Sequence, residues 1–215
     1  MFEKLVVGRY LTLPLFDNTK GLDTLGGPAH FVTSPGRNYQ IQMSEGSGFF
    51  NKTRTSGILP GQTLNATKAH RNFRWLHWQP GKVTYLPLAG SDILTGPMSG
   101  CWIVIFNMAG VPYVAHIGTY DPGSPATLQV KAAWAAAFAA GVVQPIAAFQ
   151  PNRHLAPATP GLFFTYYGVV TAGQTLHALR LDRSGLRDTL NQISTMVQVN
   201  GAGVAPNDPG HPNFV

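Results

Sequence analysis

Glycine and proline punctuate this chain so closely that most of it has no room for a long uninterrupted element. Its 215 residues include 24 Gly and 17 Pro. Between them lie short β-branched or aromatic runs: HFVTS, NYQIQM, RWLHW, VTYLPL, WIVIFNM, PYVAHIG, QPIAAF, LFFTYYGVV and TLHALRL. Runs of that length, bounded by Gly, Pro or Asn, read as strands. QPGK, NMAG and VTAGQ stand between neighbouring runs as hairpin turns. Arg74 to His77 alternate poorly, which fits a bulge or an edge position. Residues 57–62 and 156–161 read as loops, and the Gly-, Pro- and Asn-rich end GAGVAPNDPGHPNFV as a tail or a surface loop.

Two segments escape the punctuation and read as helices. The first opens at Ser124 as N-cap with Pro125 at the first helical position, runs to Ala140 and stops at Gly141. Val130, Trp134 and Phe138 recur every four residues along it as one apolar stripe. The second is expected over Gly185 to Thr195, capped by Ser184, with Leu186, Leu190 and Ile193 on its buried face. Many strands and two helices give an α+β fold: a largely antiparallel β-sandwich flanked by helices, in one domain over residues 1–215.

Composition narrows the function classes. At 44% hydrophobic, with four Trp, seven Tyr and twelve Phe, the chain can bury a real core. Only 11% of residues are charged, so much of the surface is neutral and polar. No apolar stretch of about 18 residues could span a bilayer, and the apolar start is interrupted by Arg9 without a small-residue cleavage site. No membrane association and no recognisable signal peptide are therefore expected. Lys52, Arg54, Lys68, Arg71, Arg74 and Lys82 fall in a stretch without Asp or Glu, from Gly46 to Gly90. Such a patch draws acidic partners or is simply a solvated basic face. No nucleic-acid-binding motif accompanies it, so nucleic acid is not the expected partner. The seven His are scattered without ligand spacing, and no metal or cofactor is expected.

A single cysteine, Cys101, excludes an intramolecular disulfide and leaves a free thiol. It follows Ser99 and Gly100 in MSGC, a turn that enters the strand WIVIF. If that strand pairs with PYVAHI around NMAG, the far ends meet and Cys101 arrives beside His116 or its neighbour. A thiol of ordinary pKa is only about 3% thiolate at neutral pH. Pairing with an imidazole raises that fraction some 20- to 30-fold. The other reading stays open on these residues alone: a cysteine next to Trp-Ile-Val-Ile-Phe also fits a buried hydrophobe.

MSGC resembles the Leu-Ser-Gly-Cys motif of the glutamine deamidase toxins, the cytotoxic necrotizing factor catalytic domain and Burkholderia lethal factor. These place a histidine one hairpin after the cysteine, as His116 follows Cys101. RWLHWQPGKV resembles the lethal factor's Trp-Leu-Pro-Trp-Lys-Gln-Gly segment, and Thr95 falls where the lethal factor carries a catalytic threonine. The resemblance spans about Arg74 to Gly118, with Met98 in place of the motif's leucine.

The resemblance implies a necrotizing-factor-like fold and hydrolysis of a protein glutamine side-chain amide. Cys101 would attack, His116 would shuttle the proton, and Thr95 would orient the imidazole; Asp121 and Asn107 are other groups of this chain able to orient it. Ser99 and Gly100 would line the substrate, with backbone N–H groups near Gly100 and Cys101 on the oxyanion. The implied partner is a host protein, the DEAD-box helicase of translation initiation or a Rho-type GTPase. The toxin would be a monomer, secreted or delivered into the host cytosol. Transglutaminase activity, a cysteine peptidase or amidase, and a non-enzymatic binding protein are the competing readings.

Overall fold

In a computed structural model, residues 2–12, 30–47, 52–59, 66–121, 123–156, 163–183 and 190–199 are described. Eight strands close into a barrel: β1 (Tyr10–Thr12), β3 (Asn38–Ser47), β4 (Lys52–Leu59), β5 (Asn72–Leu76), β7 (Asp92–Met98), β11 (Phe164–Val170), β12 (Leu176–Arg183) and β13 (Leu190–Val199). Around the ring they run β1-β13-β12-β11-β7-β5-β3-β4. The other five, β2 (Phe31–Thr33), β6 (Val83–Pro87), β8 (Trp102–Met108), β9 (Val111–Ile117) and β10 (Gln144–Phe149), form a sheet ordered β10-β8-β9-β6-β2.

The α+β class with a sheet core holds, and the strand pairing is largely antiparallel as expected, but the expected sandwich is replaced by a closed barrel and a five-stranded sheet, each with parallel pairs. β1 runs parallel to β4, β5 to β7, and β2 to β6. The chain crosses from barrel to sheet after β5 and again after β7. QPGK is therefore a crossover between layers and not a hairpin turn, and β5 ends at Leu76, before His77.

One helix, α1 (Pro125–Ala139), covers the sheet's outer face. Ser124 caps it as expected, its Oγ accepting from Thr127 N at 3.3 Å, and Gly141 ends it at φ +69°. Trp134 stacks on Phe31 and meets Phe106 edge-on. The sheet's inner face, with Ile103, Ile105, Val114 and Phe149, packs against Ile93, Val170 and Ala178 of the barrel. Strand β8 is thus buried on both faces, which is why WIVIF reads as a continuous apolar run.

From Leu190 on, the expected second helix is strand instead. Residues 190–199 are strand β13, with Ile193 in the barrel core, and residues 184–189 lie outside the described set. A bulge explains the misreading: Arg180 pairs with Thr195 and Leu181 with Ile193, leaving Ser194 extra. One inserted residue breaks the period of two that a strand would otherwise display. Gly57 to Leu59, expected as loop, belong to β4. The rest of residues 57–62, the expected 156–161 loop beyond Ala156 and the tail from residue 201 fall outside the described residues.

Candidate active site

The hairpin forms as expected. Trp102 opposes Ile117 and Ile103 opposes His116 across NMAG, where Ala109 (φ +50°) and Gly110 (φ +78°) make the turn. Cys101 comes just before β8, one step along from Ile103, and joins Ile103 and Ile105 in the core between sheet and barrel. The strand period therefore puts Cys101 and His116 on one face, diagonally related.

Thr95 reaches the same place from the other layer. It lies in β7 of the barrel, and its Oγ1 is 2.7 Å from His116 Nδ1, with both side chains fully buried. Of the three groups named as able to orient the imidazole, Thr95 is the one in contact. Asn107 sits at the turn end of the hairpin, opposite Pro112, and Asp121 is solvent-exposed. With the proton on Nδ1, Thr95 Oγ1 accepts and Nε2 is a bare base; with the proton on Nε2, the hydroxyl donates. Among the described residues Nε2 has no hydrogen-bond partner.

The thiol departs from expectation in two respects. A nucleophile has to be reached, yet Cys101 is only 3% exposed, packed with Met98, Ile103 and Phe149 between sheet and barrel. Nor is it bonded to the imidazole: Sγ donates to Thr119 O at 3.4 Å. Burial raises the Cys101 pKa; the Thr119 and Trp78 side chains and the Thr119 and Gly100 backbone pull it partly back. Trp78 Nε1 approaches the sulfur without making a well-directed hydrogen bond. Burial pushes His116 down to about 3. At neutral pH the pair is thus a neutral thiol and a neutral imidazole, not the ion pair expected from spacing.

Ser99 is exposed and Gly100 half-buried in the bend that carries the chain from β7 to β8. A Cβ on Gly100 would meet nothing within 4 Å, so open space adjoins the backbone there. The Gly100 carbonyl accepts from Gln150 Nε2 at 2.8 Å and from Thr119 Oγ1 at 3.3 Å.

A second buried polar group braces the site from beneath. Ser34 Oγ is 2.8 Å from His77 Nδ1 and accepts from His77 N at 3.3 Å. Thr84 Oγ1 donates to His77 O and lies 3.3 Å from His116 O. The WLHW segment is thereby pinned to β6 and β9. The expected basic face is not all surface: Arg74 is half-buried and donates to Pro87 O at 2.6 Å.

Thr119, Gln150, Thr84 and the Ser34–His77 pair carry no signal of their own in the sequence. Trp78 stands out only as part of the aromatic RWLHW run. Among the described residues no group of His, Cys, Asp or Glu could hold a metal ion, and no helix is long and apolar enough to cross a membrane. No family model matches the chain, and no curated protein matches its sequence.

Proposed function

We propose that the protein is a cysteine-dependent glutamine deamidase that converts a side-chain amide of a host protein to glutamate. The observation that carries this is the 2.7 Å contact between Thr95 and His116 Nδ1, made across two layers, on the sheet face that also bears Cys101. Thr95 fixes Nδ1 while Nε2 keeps no partner among the described residues, the arrangement a general base needs to be aimed and still accept a proton.

Cys101 is the nucleophile and His116 the base. The thiol leaves Thr119 O and passes its proton to Nε2 as sulfur attacks the carboxamide carbon. Because both groups start neutral, transfer accompanies attack instead of preceding it. The tetrahedral oxyanion takes a backbone N–H beside Cys101. The imidazolium then protonates the departing ammonia and leaves a thioester. Water, deprotonated by His116, adds to the thioester carbon, and collapse releases the glutamate product and returns the proton to sulfur.

The resemblance to the lethal factor and necrotizing factor toxins supports this reading. It makes the translation-initiation helicase the first substrate to try and a Rho-type GTPase the second, with delivery to the host cytosol. The same intermediate serves a transglutaminase if an amine replaces water.

Mass spectrometry of host-cell lysate treated with the protein, or with Cys101→Ser, tests the proposal. A Gln-to-Glu gain of about one mass unit is expected on one or a few proteins, absent with the variant, because the thioester cannot form without the thiol. Cleaved peptides in place of the shift would identify a peptidase, and an unchanged lysate would leave a buried cysteine without this chemistry.

A further inference from the structure

The Gly100–Cys101 peptide is held through its carbonyl and leaves its N–H without a partner among the described residues. Its carbonyl takes two side-chain donors, Gln150 Nε2 at 2.8 Å and Thr119 Oγ1 at 3.3 Å. Its N–H, on Cys101, donates to no described residue. The C=O and N–H of a trans peptide point in opposite directions. Fixing the oxygen therefore fixes the direction of the free N–H. On the Gly100 side a Cβ would meet nothing within 4 Å, so a reacting carbonyl has space beside that peptide. Gln150 comes from the end of β10, immediately before the turn Pro151–His154, and so ties the mouth of the site to the sheet's edge strand.

The geometry points to Gln150 as a positioning residue: its amide, with Thr119, holds the Gly100 carbonyl so that the Cys101 N–H faces the oxyanion. This rests on Cys101 being the nucleophile. Gln150 does not touch the reacting atoms; it acts through the peptide that does. An ordinary surface glutamine would leave that carbonyl to water, whereas this one is half-buried with its N–H on a backbone oxygen.

Two electrophiles separate the roles. Iodoacetamide alkylates sulfur by displacing iodide and develops no oxyanion. Butanal, which carries the α- to δ-carbons of a glutamine with an aldehyde in place of the amide, adds reversibly. The S–C bond forms as the C=O π bond opens to an alkoxide, and the thiol's proton then neutralises it. Only the second reaction uses the Cys101 N–H. The measurement is the iodoacetamide rate on the full-length protein, alone and against increasing butanal, for wild type, Gln150→Ala and the isosteric Gln150→Glu.

The expected result is an iodoacetamide rate within about twofold of wild type for both variants. The butanal concentration that halves this rate should rise about tenfold or more, part of the roughly 10²–10³ lost when an oxyanion donor is deleted. A half-protecting concentration that does not change in either variant overturns the positioning role alone. A parallel change in both reactions also overturns it, because misfolding frees the thiol to every reagent. A wild-type Cys101 inert to both reagents overturns the nucleophile assignment and this inference with it.

Discussion

His116 shows how burial, not pairing, sets the protonation of this site. Its imidazole is fully buried, and that alone holds it down to about 3. The unfolded chain returns it to the usual range near 6.5. The folded pKa is thus the lower one, so the unfolded state binds the extra proton between those values. Stability is then full above about pH 6.5 and is lost as the pH falls toward 3. His177, also lowered by burial, adds to the same trend. Urea unfolding across pH 7 to 4 should show wild type losing on the order of several kcal/mol. His116→Gln should lose distinctly less, since it cannot titrate. An equal loss in both would mean that His116 is not the group taking up the proton.

Glycines mark where the elements meet, and they differ in what they tolerate. Gly118 ends β9 against the QPGK crossover: Gly81 N donates to its carbonyl and its own N–H donates to Lys82 O, both at 2.8 Å. A Cβ there would stand 2.0 Å from Gln79 O. Gly118→Ala should therefore cost about 1–3 kcal/mol through a forced backbone shift, lowering Tm by roughly 2–10 °C. Gly100→Ala, with open space beside it, should stay within about 2 °C of wild type by calorimetry. Reversal of that order would mean that the crossover does not press on β9.

The same contrast explains what could be read at this scale. The hairpin, the first helix and its cap were legible because Ala109-Gly110 and Ser124-Pro125 act on their own neighbours. β7 was not legible, since Gly96 and Pro97 interrupt it and only its place between β5 and β11 makes it a strand. β13 was lost to one inserted residue, Ser194. Of the site, Cys101, His116 and Thr95 could be picked out from a motif. Gln150, with some fifty residues between it and Gly100, could not, because a lone glutamine has no pattern.

In the molecule as a whole, the site is a joint between two layers. Thr95 belongs to the barrel, His116 to the sheet, and Cys101 to the segment that crosses between them, so the packing of sheet on barrel keeps them in register. Phe149, 1% exposed, sits in that interface. Phe149→Ala should destabilise by about 3–5 kcal/mol. It should also speed iodoacetamide labelling of Cys101 in the absence of denaturant, because parting the layers uncovers the sulfur. Unchanged labelling despite lost stability would mean that the thiol is reached by a path the interface does not guard.

The barrel's closing strand also sets an order on events during synthesis. β1 is three residues long and bonds to both neighbours, with Tyr10 opposite Gln192 and beside Thr55. The ring cannot shut until residue 192 has left the ribosome, whereas Thr95, Cys101 and His116 have all emerged long before. Until then the nascent sheet has two open edges, the kind of surface that captures other chains. A ribosome-bound fragment ending soon after Phe149 would hold Thr95, Cys101 and His116 before the barrel that the sheet packs against has closed.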